Sequence, residues 1–162
     1  MKILRHDEHF DYALKCGIIQ DALLLTHEDF SIDHDLRLRI IHEDPEEHSI
    51  EALRSYYGKA LESNYLKHLF DLAGVSGMKK PFILDIDLDY FKTAHSVEPE
   101  DSAVFDSLIR NASAITISRE TDWVRLLNMD FDRTLNSDFF QNRVLGHIQR
   151  VLTEHSADCV HG

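Results

Sequence analysis

Phe82-Ile83-Leu84-Asp85-Ile86-Asp87-Leu88-Asp89-Tyr90-Phe91 alternates acid and hydrophobe through its middle. That is strand period, which puts Asp85, Asp87 and Asp89 on one face and Leu84, Ile86 and Leu88 on the other. Carboxylates so close repel one another, and burying an unpaired one is costly or neutralises it. A bound divalent cation removes both difficulties. A solvated edge strand that uses acids to discourage pairing would alternate in the same way. The bulky apolar residues Phe82, Ile83, Tyr90 and Phe91 at the two ends fit a core strand better. The segment therefore reads as a strand that carries a metal site.

Outward from this strand the chain alternates strands and helices. Ala22–Thr26 (ALLLT) and Ala114–Ser118 (AITIS) are continuous runs suited to strands buried on both faces. Lys2–Arg5 and Leu36–Ile41 are candidate short strands. Helical spacing runs over His9–Gln20, Ser49–Ala73 (divided at Ser63-Asn64), Pro99–Ala112 and Thr121–Met129. A terminal helix is expected over Asp138–His155, with Phe139, Phe140, Val144, Ile148 and Leu152 as its apolar stripe. Gly74–Pro81 is a turn-rich connector. The pattern predicts an α/β fold, a mainly parallel sheet flanked by helices, in one domain over residues 1–155. Residues 156–162 are expected to be a flexible C-terminal tail.

The chain has 162 residues, 43% hydrophobic, which suits one core better than two. Its formal charge of -12, from 29 acids against 17 bases, leaves no basic stripe for phosphates. Nucleic acid and anionic membrane are therefore not expected as partners, whereas a cationic substrate would be steered inward. Cys16 and Cys159 lie outside any CxxC spacing, so a reducing cytoplasm is expected. The start MKILRHDEHF is too polar for a secretory signal, and no apolar run is long enough for a bilayer.

In open parallel sheets ligands bind beyond the carboxyl ends of the strands. Here the expected strands are followed by His6-Asp7-Glu8-His9, by His27-Glu28-Asp29, by Asp85, Asp87 and Asp89, and by Arg119-Glu120. Imidazole and carboxylate together suit Mn, Fe or Zn rather than Ca. Taken singly, an HxD pair is more often a cap or turn, and Arg119-Glu120 an ordinary surface pair.

The string ILDIDLDYF resembles the signature of a branch of the ureohydrolase (arginase) superfamily that includes peptide arginases of ribosomal-peptide biosynthesis. The resemblance implies a minimal arginase-like three-layer fold. It also implies a cytoplasmic hydrolase that converts arginine side chains of a precursor peptide to ornithine, releasing urea. By the same resemblance His9 in DEHFDYAL, His27 and Asp29 in LLLTHEDF, and Asp85 and Asp87 of the DxD pair are metal ligands for one or two Mn ions. Leu25 stands where that family has a further, metal-bridging aspartate; Glu28, Asp33, His34, Asp35 and Asp89 are the candidates to replace it. The chain is about half the usual arginase length, which implies an open site suited to an arginine presented on a peptide.

Guanidinium resists water at neutral pH, and a divalent ion supplies hydroxide there. Asp29 would also hold the nucleophile's proton; the resemblance to arginases further implies Glu120 as the carboxylate that grips the guanidinium and His42 as the histidine that protonates the leaving amine, with His34 and His48 as competitors. Two other classes stay open. A non-catalytic metal- or peptide-binding protein could keep this fold without its activity. A DxD-type Mg-dependent phosphatase would account for Asp85 and Asp87, yet it leaves His9 and His27 unexplained and usually has Thr or Val where Asp89 stands. Short chains often complete a site by association, so a homo-oligomer is compatible with all three.

Overall fold

A computed structural model of the protein describes residues 9–27, 35–75 and 81–160. In chain order these form α1 (His9–Lys15), β1 (Ala22–Thr26), β2 (Leu38–His42), α2 (Ile50–Tyr57), α3 (Ser63–Leu72), β3 (Ile83–Asp87), α4 (Ala103–Asn111), β4 (Ala114–Ser118), α5 (Thr121–Leu127) and α6 (Ser137–Val160). Short 3-10 turns occupy Leu88–Tyr90 and Ala94–Val97. The protein is an α/β structure with two small parallel sheets. The strand expected at Lys2–Arg5 lies outside the described residues.

The strands follow the sequence closely, and among the described residues they assemble as two pairs. β1 pairs in parallel with β2, from Ala22↔Leu38 to Thr26↔His42. β3 pairs in parallel with β4, from Ile83↔Ala114 to Asp87↔Ser118. Among the described residues no ladder joins the two pairs. Side-chain packing joins them instead: Leu25 of β1 rests on the core that holds Ile86 of β3.

The helices end where local chemistry stops them. α1 was expected to reach Gln20, but Gly17 takes φ 69° just past its end. The amides of Gly17 and Ile18 bond back to the carbonyls of Leu14 and Ala13, a Schellman closure that a side chain at Gly17 would strain. The long helix expected from Ser49 breaks over residues 58–62, ahead of Ser63, so Ser63 opens α3 rather than interrupting it. Its hydroxyl donates to Asp101 and accepts from the Val104 amide, which ties the starts of α3 and α4 together. α6 continues to Val160, beyond the expected end at His155.

The main core lies between the apolar face of β3–β4 and helices α4 and α6. Ile86, Phe105, Ile109, Phe140, Val144 and Val151 are buried there. Phe91 stacks on Phe140 at 6.0 Å, and burying each ring contributes about 2–3 kcal/mol. The apolar stripe of α6 runs through Val151 rather than Leu152, which is 44% exposed. A spacing of 140, 144, 148 and 151 keeps to one face at 3.6 residues per turn, whereas 152 drifts off it. His147 Nε2 lies 2.7 Å from Asp106 Oδ1, a polar bridge from α6 to α4 beside Phe105.

Candidate functional site

β3 and β4 run in parallel, so Asp87 and Ser118 end their strands side by side. Asp85 and Asp87 share the face away from Ile86. Asp85 is exposed and accepts a hydrogen bond from Thr116, its cross-strand neighbour. Asp89 does not complete the face as the alternation predicted. The strand stops at Asp87, and Asp89 enters the Leu88–Tyr90 turn. The turn still leaves it close enough to hydrogen-bond Asp87 and to act on it electrostatically.

Asp87 is the focus of an acid cluster. Partial burial and the charges of Asp89, Glu120 and Asp85 push its carboxyl from 3.8 up to about 7. Its Oδ1 is buried without a hydrogen-bond partner. Glu120 accepts from the Ser118 hydroxyl at 3.2 Å. It opens α5 in the left-handed region, φ 36° and ψ 49°, a conformation costly for a residue with a Cβ. Such strain persists only where surrounding structure enforces it, and it concentrates at functional sites.

A second cluster surrounds His27, the first residue beyond β1. The ring stacks on Tyr90 at 4.3 Å with only 10° between planes, and Tyr56 and Tyr57 meet its edges. Burial, Lys92 and His42 lower its pKa from 6.5 to about 3, so the imidazole is neutral at ordinary pH. Both ring nitrogens are buried without hydrogen-bond partners. Tyr90, three residues beyond Asp87, joins this cluster to the acid one. Its hydroxyl is also buried and unpartnered, and burial raises its pKa.

Lys92 is the residue that sequence reasoning missed. It is only 7% exposed, and its ammonium lies 4.7 Å from the centre of the Tyr57 ring. Its backbone is pinned because the Met129 amide donates to its carbonyl at 2.7 Å. The available signal was a lone lysine directly behind the Tyr90-Phe91 pair, within a stretch otherwise bound for the core.

The structure therefore gathers Asp85, Asp87 and Glu120 on one side and His27 and His42 on the other. His42 ends β2 level with Thr26, and its Nε2 lies 3.3 Å from Asp44. Asp29 lies outside the described residues, as do Glu28, Asp33 and His34. His9 opens α1, but its side chain lies outside the described residues. Asp35 is paired with Arg37 at 2.7 Å, away from the cluster it was a candidate to complete. Leu25 packs on the core, so its position offers no carboxylate to the site. His48 is exposed.

The donor types that a divalent cation takes are present, but the described residues do not close them into one site. A neutral imidazole with two orphaned nitrogens and a carboxylate with an orphaned oxygen each lack the partner that buried polar groups require. Imidazole and carboxylate are the donors that Mn, Fe and Zn accept. Among the described residues alone, no group of three or more His, Cys, Asp or Glu side chains is arranged to hold a metal. Two grooves of about 360 and 280 Å³ lie elsewhere, lined almost wholly by apolar side chains such as Ile115 and Leu145, or Phe70 and Leu108. Among the described residues no helix is long and apolar enough to cross a membrane. Comparison with protein-family models, curated proteins and solved structures found no match for the chain.

Proposed function

We propose that the protein is a metal-dependent guanidine hydrolase of arginase type, which converts arginine side chains of a precursor peptide to ornithine and urea. The observation that supports this reading is that His27 beyond β1 and Asp87 at the end of β3 each keep buried polar atoms without partners, Asp87 within a cluster of acids. The family resemblance implies His9, His27, Asp29, Asp85 and Asp87 as the set that would hold the ion, a set that the described residues alone do not form. Manganese bound there would supply hydroxide near neutral pH.

The remaining roles fall to the chain's own groups. Glu120 is held by Ser118 in a strained backbone, which suits a carboxylate that must present both oxygens to a planar guanidinium. Asp29 would hold the proton of the attacking group, and His42 would return a proton to the leaving amine. The acidic chain draws a cationic substrate toward the site.

The test is to incubate the protein with Mn and an arginine-containing peptide and to follow the mass loss of ornithine formation, with free arginine run alongside. Activity on free arginine alone would refute the peptide substrate. Glu120→Gln should keep the metal content and lose turnover or raise KM; full activity would refute its assignment. Metal bound with no product on any peptide would favour a binding protein, the reading that Leu25 packed on the core supports.

A further inference from the structure

Resting on the guanidine-hydrolase reading, we propose that the arginine-bearing peptide docks as an added strand along the open edge of β4, with its apolar side chains over the groove beside α6 and its arginine toward Glu120.

The edge supplies the main-chain contacts. The Ser113 amide donates to the Phe82 carbonyl at 2.8 Å. Backbone groups alternate sides along a strand, so the amides of Ile115 and Ile117 also face β3, and those of Ala114, Thr116 and Ser118 face away. Among the described residues no further strand lies on that side. Ala114 and Thr116 are exposed, and β4 carries neither a charge nor a proline, the usual guards of an open edge. An extended peptide takes such an edge through its own amides and carbonyls.

The groove supplies the side-chain contacts. It encloses about 360 Å³ between Ile115 and Ile117 of β4, Ile109 of α4, and Leu145 and Ile148 of α6. Among the described residues none of β3 lines it, so it lies on the open side of β4. Leu145 is 36% exposed there. Side chains of a strand alternate, so every second residue of the peptide falls on the face of Ile115 and Ile117, over the groove. The residues between fall on the face of Asp85, Thr116 and Ser118. An arginine on that face, level with the end of β4, meets Glu120 two residues beyond Ser118. Its neighbours on both sides are then the groove residues. The peptide selected has its arginine between two apolar residues.

Charge favours this occupant. Glu120 and Asp87 act on one another at the ends of β4 and β3, where the arginine arrives. The chain's formal charge of -12 draws in a cationic segment and repels a second copy.

The experiment titrates the full chain with short peptides by calorimetry in a chelator, and follows their conversion to ornithine with Mn by mass spectrometry. The peptides differ only in flanking the arginine with valine or with serine. The valine-flanked peptide should bind roughly tenfold more tightly. Ala114→Pro removes one outward amide at the first strand position, where proline is tolerated, and should weaken that peptide roughly fivefold. Leu145→Asn should bring the two affinities together. Equal binding of the two peptides by the wild type, no binding of either, or unchanged binding in both variants would overturn this docking; turnover alongside would leave the hydrolase reading intact. Valine-selective binding without turnover would support the surface and refute the hydrolase reading. A wild-type dimer in sedimentation that Ala114→Pro converts to monomer would also overturn it, because a second copy then holds the edge. Should Ala114→Pro fail to fold, the wild-type comparison and Leu145→Asn still decide.

Discussion

Asp87→Asn should stabilise the metal-free protein at alkaline pH and leave it unchanged in acid. Burial and the charges of Asp89, Glu120 and Asp85 raise the Asp87 carboxyl from 3.8 to about 7 in the folded state. Below 3.8 both folded and unfolded chains hold the proton, and the group contributes nothing. Between the two values the folded chain keeps the proton and the unfolded chain releases it, so stability falls as pH rises. Above about 7 the full penalty applies. At about 1.4 kcal/mol per pH unit the gap gives about 4 kcal/mol. Asp87 is only partly buried, and solvent screening roughly halves this to about 2 kcal/mol.

Asparagine keeps the shape and cannot ionise. For a chain of this size the gain corresponds to about 4–8 °C in Tm. The assay is thermal unfolding by circular dichroism in a chelator, at about pH 8 and about pH 4. Equal Tm values at the higher pH, or the same gain at both, would refute the reasoning. Added Mn should reverse the order, because the wild-type carboxylate then has its cation.

His27 carries the opposite sign. Its pKa falls from 6.5 to about 3, so the unfolded chain binds the proton first as pH drops, and stability is lost through that window. His27→Phe, which keeps a ring against Tyr90, should move acid unfolding to lower pH by circular dichroism, and an unchanged midpoint would count against the neutral imidazole. Glu120→Gly should relieve the left-handed strain and raise stability by about 1 kcal/mol in urea titration while abolishing turnover. His147→Ala should cost about 1–3 kcal/mol by the same titration, because it leaves Asp106 without its partner, and should leave metal binding unchanged.

The segments that formed as expected are those whose period is set within a few residues. ALLLT, AITIS and the Ile83–Asp87 alternation became β1, β4 and β3, because strand period and β-branched content act over one element. His27, His42, Asp87 and Glu120 stand at or just beyond the carboxyl ends of β1, β2, β3 and β4, as the strand positions implied. The chain order of helices was legible for the same local reason. Two readings failed where distant packing intervened. Asp89 left the acid face because the strand stops one residue before Leu88, whose side chain is drawn fully into the core. Val151 displaced Leu152 on α6 because the neighbouring sheet and α4 select the buried face. Among the described residues the sheet is two separate pairs, and strand adjacency depends on packing across the chain, such as that of Leu25 and Tyr90 on one core.

The sequence by itself determined an α/β chain with an acid-bearing strand and with histidine and glutamate at neighbouring strand ends. Only the tertiary structure decided which of these groups feel one another: Asp87 with Asp89 and Glu120, His27 with Tyr90 and Lys92. The physical reason is that periodicity is a property of a dozen consecutive residues, whereas burial and charge depend on what the rest of the chain brings alongside. A lysine behind Tyr90-Phe91 reads as surface until Phe91 and Thr93 are seen to carry it inside, over Tyr57.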